Sequence, residues 1–451
     1  MMQRRAAAVQ QIVGDPTSDE RLLDSATFVV LGILVVVTSV SPYMYGKFLV
    51  VPIVLVTVLR LLRDRLPDAA IAWTYALVGL GAIGTVQGVI HTNPGALPNV
   101  TIYVVEPLLF GLFFGSAMSR SGWEAPLMRS LDFALVAVTV VGVGVYVATI
   151  SGVHLPAWLV DPAFSFGDLR PGTLRTNYQG FNNLIFLAPY GIWRATVARG
   201  LPSLSRVALA SIAVLATIIS GRRILLLSIP IALVLTWLLS RRRPSRESST
   251  PRHPESGRWK LLWVGTAIFA AVMIAAVGIA RLSAVDAVQR VVAKLTLAIV
   301  ADPRWEEGGA IIDRWARAPF FGYGTGAIVH GYQRSADYPG GAELLRDYPW
   351  AFELSYHVVL LDFGLFGLAL LLLWGLWILR GLRRGLKTVS DITLAGALIC
   401  AFISTALAIF SDPYVQKFDG MWMLFIPFGA GVYWSAHDHN PPDLEQGRGR
   451  E

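Results

Sequence analysis

Glu353-Leu354-Ser355-Tyr356-His357 marks the junction where the longest polar stretch of the chain runs into an apolar one. From Arg281 up to this junction the sequence holds nine acidic residues. It also holds a Trp- and Arg-rich segment (Arg304-Trp305, Arg314-Trp315, Arg317) and a glycine cluster, Gly322-Tyr323-Gly324-Thr325-Gly326. From 354 to 379 the chain is mostly apolar, and that run is long enough to cross a bilayer, which takes roughly 20 residues.

Outward from the junction the same signal repeats. Apolar runs fall at 25–41, 47–63, 70–90, 100–118, 131–150, 181–199, 204–220, 223–240, 261–280, 354–379, 391–411 and 418–435. The break between the seventh and eighth is set by Ser220-Gly221-Arg222-Arg223, which is too polar for mid-membrane. Of 451 residues, 54% are hydrophobic and only 15% charged, against about 25% charged in soluble proteins. The deficit runs the whole length. The expected fold is therefore an all-α polytopic membrane protein of about twelve transmembrane helices, with one long extracytoplasmic loop carrying short amphipathic helices. Neither a repeat nor a heptad is evident. The single cysteine, Cys400, lies in an apolar run, which excludes a disulfide framework. The polar N-terminus, Met1 to Asp24, lacks the apolar core and small-residue cleavage site of a signal peptide. The net charge of +8 sits in loops between spans, where topology explains it without nucleic acid.

Orientation follows from lysine and arginine in short loops. With the N-terminus inside, the inner side collects Arg4, Arg5, Arg21, Arg60, Arg63, Arg65, Arg120, Arg129, Arg194, Arg199 and Arg206. It also takes the basic residues of 241–260, Arg380, Arg383, Arg384, Lys387, Arg448 and Arg450. The outer side, apart from the long loop, keeps Lys47, Arg170, Arg175, Arg222, Arg223 and Lys417. Both termini are thus expected in the cytoplasm and the loop 281–353 outside. The segment 241–260 is rich in Ser, Pro and Arg and reads as a disordered cytoplasmic loop; the tail 436–451 reads the same way.

Several residues break the membrane pattern. Arg222 and Arg223 lie on the side where positive charge is disfavoured, in a short turn. They either snorkel to headgroups or face a cavity and hold an anion. A guanidinium suits phosphate because its planar fork gives paired hydrogen bonds and keeps its charge. The outer segment Ser151–Gly180 offers Arg175, Asn177, Tyr178 and Gln179, residue types that suit sugar hydroxyls and equally an ordinary polar loop. Glu106 is a lone carboxylate near the outer third of its span, either a functional group or the partner of an outer arginine. Residues 281–300 show helical apolar spacing and read as an amphipathic helix on the outer face. Glu306 to Ala318 reads as a second short helix, with Arg314 and Arg317 at i and i+3, closed by Pro319. The glycines at 322, 324 and 326 match a phosphate-cradling loop poorly, since no strand precedes them. They fit a sharp backbone turn beside a ligand or another helix better. His357 sits at the mouth of its span. Glu353, expected one turn earlier on the same helical face, could orient its imidazole as a base.

Three motifs occur in a fixed order. Ser220-Gly221-Arg222-Arg223-Ile224-Leu225-Leu226-Leu227 comes first. Arg314-Trp315-Ala316-Arg317-Ala318-Pro319-Phe320-Phe321-Gly322-Tyr323-Gly324-Thr325-Gly326 follows. Tyr356-His357 with Leu361-Asp362-Phe363-Gly364-Leu365-Phe366-Gly367 closes the series. This order resembles the O-antigen ligase/polymerase superfamily, bacterial membrane glycosyltransferases that use polyprenyl-diphosphate-linked glycans. The resemblance covers about Asn177 to the tenth span. It implies a GT-C-like membrane fold in the bacterial inner membrane, and catalytic roles for Arg314 and His357. The diphosphate-binding basic residue falls on Arg222 or Arg223, with Arg317 nearby; Glu353 and Tyr356 join the candidates for sugar contact. Family members often carry Asn after the histidine, where this chain has Val358.

The chemistry is coherent on its own terms. A glycosyl diphosphate already has a good leaving group, so the need is to stabilise growing negative charge, which placed arginines do. The acceptor hydroxyl needs a base working near neutral pH, which histidine supplies. Attack opposite the diphosphate inverts the anomeric centre. No metal and no cofactor are expected, because the outer aspartates lack ligand spacing. The expected partners are a polyprenyl-diphosphate-linked oligosaccharide donor, a glycan acceptor, membrane lipids and proteins of a polysaccharide export pathway, with no nucleic acid. A Wzy-type polymerase is favoured over a ligase acting on an acceptor lipid or protein. A transporter or flippase would instead show two similar halves and charges at mid-membrane, and a non-catalytic envelope scaffold would tolerate loss of Arg314 and His357.

Overall fold

A computed structural model describes residues 18–40, 46–120, 122–150, 178–197, 203–220, 223–241, 304–332, 349–352, 354–386, 392–410 and 418–437. Twelve α-helices and no strands lie among them. They are α1 (Ser18–Val40), α2 (Val50–Arg63), α3 (Asp68–Ile90), α4 (Glu106–Ala117), α5 (Glu124–Ile150), α6 (Leu184–Val197), α7 (Ser203–Ser220), α8 (Arg223–Arg241), α9 (Arg304–Trp315), α10 (Ser355–Gly385), α11 (Ile392–Ala408) and α12 (Phe418–Ala436). Eleven of the apolar runs therefore carry a helix. The run at 261–280 and the amphipathic segment at 281–300 lie outside the described residues, as do most of the loop 241–260 and nearly all of the tail 436–451.

Among the described residues, four helical stretches are long and apolar enough to cross a membrane: Arg21–Val40, Asp68–Ile90, Glu124–Val145 and Ser355–Gly385. The exposed surface suits that solvent. On α2, Ile53, Val56, Thr57 and Arg60 turn inward, while Val51, Leu55, Val58 and Leu62 stand exposed. In water such a row would be an association hazard; in hydrocarbon it is the required outer surface.

One large apolar core joins most of the helices. Helix α6 packs on α7 and α11, α11 on α8, α12 on α4 and α10, and α1 on α5. Close approach depends on small residues, as is usual where helices associate in lipid. A Cβ on Gly381 of α10 would meet the Gly431 carbonyl of α12 at 2.5 Å. Two sets of ion pairs offset the cost of burying charge in such a core. Arg60, 1% exposed, binds Asp24 of α1, donates to the Thr27 hydroxyl at 3.0 Å, and lies 3.5 Å from Asp64, which also pairs with Arg120. Arg194 of α6 pairs with Asp132 of α5.

Two helices depart from regularity, each for a chemical reason. A π turn at Thr101–Val105 precedes α4. Pro107 lacks the N–H that Tyr103 would otherwise bond. The Tyr103 carbonyl instead abuts Gly81 of α3, where a Cβ would lie only 2.0 Å from it. Helix α10 is broken at Gly364, whose φ of 64° and ψ of −160° only glycine adopts readily. The break leaves the carbonyls of Leu361 and Asp362, and the N–H groups of Leu365 and Phe366, without their intrahelical partners.

Candidate functional site

The segment after α9 is spliced into the break in α10. Tyr323 and Gly324 donate to the carbonyls of Leu361 and Asp362, both at 2.8 Å. Leu365 and Phe366 donate to the carbonyls of Pro319 and Phe320, at 2.8 and 3.1 Å. Four backbone bonds from a distant part of the chain thus replace two intrahelical ones. The far side of the same segment is held by the end of α3. Thr325 donates to the Gly84 carbonyl at 2.9 Å. Gln87 Nε2 donates to the Gly322 carbonyl at 2.9 Å. Asn93 Nδ2 donates to the carbonyls of Tyr323, Gly324 and Thr325 at 2.9, 3.2 and 3.3 Å.

The glycine cluster is therefore a clamp, and its N–H groups are spent within the protein. Gly322 donates to Ala318, and Ala327 to the Asp362 carboxylate at 3.4 Å. Asp362 is 1% exposed, and the Gly326 N–H and the Tyr103 hydroxyl also act on its carboxyl. No N–H from 322 to 327 remains to cradle a phosphate. Gly322, Gly324 and Gly326 have φ of +68°, +80° and +71°, and a Cβ on Gly324 would lie 2.1 Å from the backbone nitrogen of Gly88. The second of the two sequence readings of this cluster, a sharp turn against another helix, describes what the backbone does.

The clamp brings α9 onto the first turns of α10. Ile311 of α9 packs in one small core with Ala327, Phe352, Val358 and Leu361. Gly308 faces His357: a Cβ there would lie 3.4 Å from the imidazole Nε2 and 3.2 Å from Leu354. His357 is half-buried, with the Phe410 ring edge-on at 5.6 Å, and its Nδ1 is buried without a hydrogen-bond partner. Arg314 lies six residues beyond Gly308, roughly 9 Å along the helix. Its guanidinium lies over the Tyr323 ring, 4.4 Å from the centroid. The Tyr323 hydroxyl donates to the Arg314 carbonyl at 3.2 Å. Arg314 Nε is likewise buried and unpartnered. The site thus presents a half-buried guanidinium and a half-buried imidazole on two packed helices.

Other expected site residues fall elsewhere. Arg317 stands exposed in the turn after α9, its N–H bonded to the Arg314 carbonyl. Tyr178 is buried, and its hydroxyl donates to the Val40 carbonyl at 2.6 Å; burial pushes its pKa above the usual tyrosine range. It braces the entry to α6, with no free group to offer a sugar. Gln179 begins the short helical turn before α6. Tyr356 donates to the Ala406 carbonyl of α11 at 2.9 Å. Arg223 begins α8. Arg175, Asn177, Arg222 and Glu353 lie outside the described residues. Helix α10 starts at Ser355 after an extended Leu354, and the expected pairing of Glu353 with His357 lies outside the described residues. Glu106 is buried at the start of α4.

Beside the site an apolar cavity of about 220 Å³ runs between α3, α4, α10, α11 and α12. Tyr103, Tyr356, Val359, Phe363, Trp374 and Phe425 are among its walls. Its lip includes Leu372 and Leu376, both exposed. Along α10 its lining runs from Tyr356 to Leu379, on both sides of the break at Gly364.

Among the described residues, fold and site together define an all-helical architecture, with four helices long and apolar enough to span a membrane and a polar site on the pair α9–α10. No family model and no curated protein matches the sequence.

Proposed function

We propose that this chain is an inverting glycosyltransferase of the bacterial inner membrane, acting at its outer face on polyprenyl-diphosphate-linked glycans and joining polysaccharide repeat units. The observation that carries the reading is the packing of α9 on α10, which puts Arg314 and His357 on one helix pair. In this reading His357 takes the proton of the acceptor hydroxyl as its oxygen bonds to the anomeric carbon. The bond from that carbon to the diphosphate oxygen breaks on the opposite face, and the lipid diphosphate leaves with the electron pair. Arg314 stabilises the charge that grows there, with Arg222 or Arg223 as the second basic group. The apolar cavity, open at Leu372 and Leu376, supports a lipid-linked donor, because a long hydrocarbon tail needs a lateral path out of the site. Arginines carry the leaving-group charge in this scheme, so it needs no metal ion.

The test is replacement of His357, Arg314, Arg222 and Arg223 by alanine, one at a time, in the native host. Surface glycan length and the pool of lipid-linked precursor are then measured. Short glycan with an enlarged pool of single repeat units supports polymerisation. Full-length glycan that fails to reach its final acceptor points to ligation. Unchanged glycan in all four variants, with the protein still in the membrane, removes the enzymatic reading.

A further inference from the structure

The end of α3 brings a second imidazole to this site. His91 caps that helix, its backbone N–H bonded to the Gln87 carbonyl at 3.0 Å, and its side chain is exposed. Its Nδ1 lies 2.8 Å from the Tyr323 carbonyl oxygen. A carbonyl only accepts, so Nδ1 carries the hydrogen. The neutral ring is thereby left with its lone pair on Nε2. The partner is the same Tyr323 whose ring lies under Arg314. The His91 ring centre is 6.1 Å from the Tyr323 centroid and the Arg314 guanidinium carbon is 4.4 Å from it. An oriented hydrogen-bond acceptor and a fixed cation thus lie against one aromatic ring.

A plain latch would explain the Nδ1 contact but not the choice of histidine. The Tyr323 carbonyl already accepts from Asn93 Nδ2 at 2.9 Å, and Asn93 reaches the next two carbonyls as well. The clamp is held without the imidazole, and asparagine at position 91 would reproduce the Nδ1 donor. What histidine adds is the acceptor on the other side of the ring. His357 offers no such preset tautomer, since its Nδ1 has no partner.

We propose that His91 is a substrate-binding residue of this site, its Nε2 accepting a hydrogen bond from a glycan hydroxyl next to the diphosphate. This rests on the proposed role of Arg314 in stabilising the charge on the leaving diphosphate. The test uses the purified full chain and the native host. His91→Asn keeps the latch and removes the acceptor; His91→Gln keeps an acceptor near Nε2 and removes the latch. Three quantities are read: thermal unfolding, binding of farnesyl diphosphate, and transfer rate with glycan length.

His91→Asn is expected to unfold like the parent and bind farnesyl diphosphate equally well. Its transfer should slow by about tenfold, the worth of one hydrogen bond, with partial recovery in His91→Gln relative to His91→Ala. If His91→Asn is itself unstable, the comparison of His91→Gln with His91→Ala decides: equal transfer rates in folded proteins overturn the proposal. Parental transfer in His91→Asn, with loss in Arg314→Ala and His357→Ala, overturns it while leaving the enzymatic reading intact. Loss of farnesyl diphosphate binding in His91→Asn overturns the assignment to a hydroxyl. Parental transfer in all of these variants removes both.

Discussion

Gly324 and Gly331 offer a controlled experiment on the clamp. Both have the left-handed backbone, with φ of +80° and +81°. An alanine at either position bears the cost of that conformation, roughly 1–2 kcal/mol. Their surroundings differ completely. A Cβ on Gly331 meets nothing within 4 Å, whereas one on Gly324 would lie 2.1 Å from the Gly88 nitrogen and 2.6 Å from the Gly88 Cα. That obstacle is helix backbone in α3, which cannot rotate aside as a side chain can. The loop would have to move, and it is held by the four bonds spliced into α10. At about 1 kcal/mol each, their loss adds roughly 4 kcal/mol. Gly324→Ala should therefore destabilise by about 5 kcal/mol and Gly331→Ala by about 1. The assay is unfolding in detergent followed by tryptophan fluorescence. Equal losses in the two variants would refute the spliced clamp.

Other expectations follow from the same contacts. Arg60→Ala removes the buried partner of Asp24, while Asp64 keeps Arg120, and should cost about 3 kcal/mol, read as a lowered unfolding midpoint; a midpoint unchanged within error would count against a buried network there. Arg314→Lys keeps the charge but loses the planar stack on Tyr323. It should lower transfer at least tenfold while the protein stays folded, whereas full activity would show that a point charge suffices. Gly375→Leu places bulk in the apolar cavity, where a Cβ meets only Phe402 at 3.7 Å. It should raise the KM for a lipid-linked donor several-fold and leave stability nearly unchanged; an unaltered KM would place the lipid tail elsewhere.

The helices were legible because an apolar run of fixed length has few alternatives in a membrane-like composition. Eleven expected runs carry helices, and Pro319 does follow the short helix that bears Arg314. The break in α10 was not legible. Leu361-Asp362-Phe363-Gly364-Leu365-Phe366-Gly367 reads as ordinary span sequence, and glycine is common in such helices. What breaks the helix is a set of donors and acceptors from 319–324, which local periodicity does not register. The same holds for Gln87, His91 and Asn93. They lie at the end of an apolar run, where polar residues are expected on general grounds, and only the fold shows them converging on 322–325. Gln87 and His91, four apart, share one helix face; that spacing was the one available hint. Tyr178 misled for the converse reason, since a tyrosine in a polar stretch suits a sugar as well as a core.

The most direct test of the account is transfer by the purified protein from a radiolabelled polyprenyl-diphosphate-linked glycan, with farnesyl diphosphate binding measured in parallel. His357→Ala is expected to lose transfer by a hundredfold or more yet still bind farnesyl diphosphate, while Arg314→Ala loses both. Parental transfer by both variants would contradict the enzymatic reading.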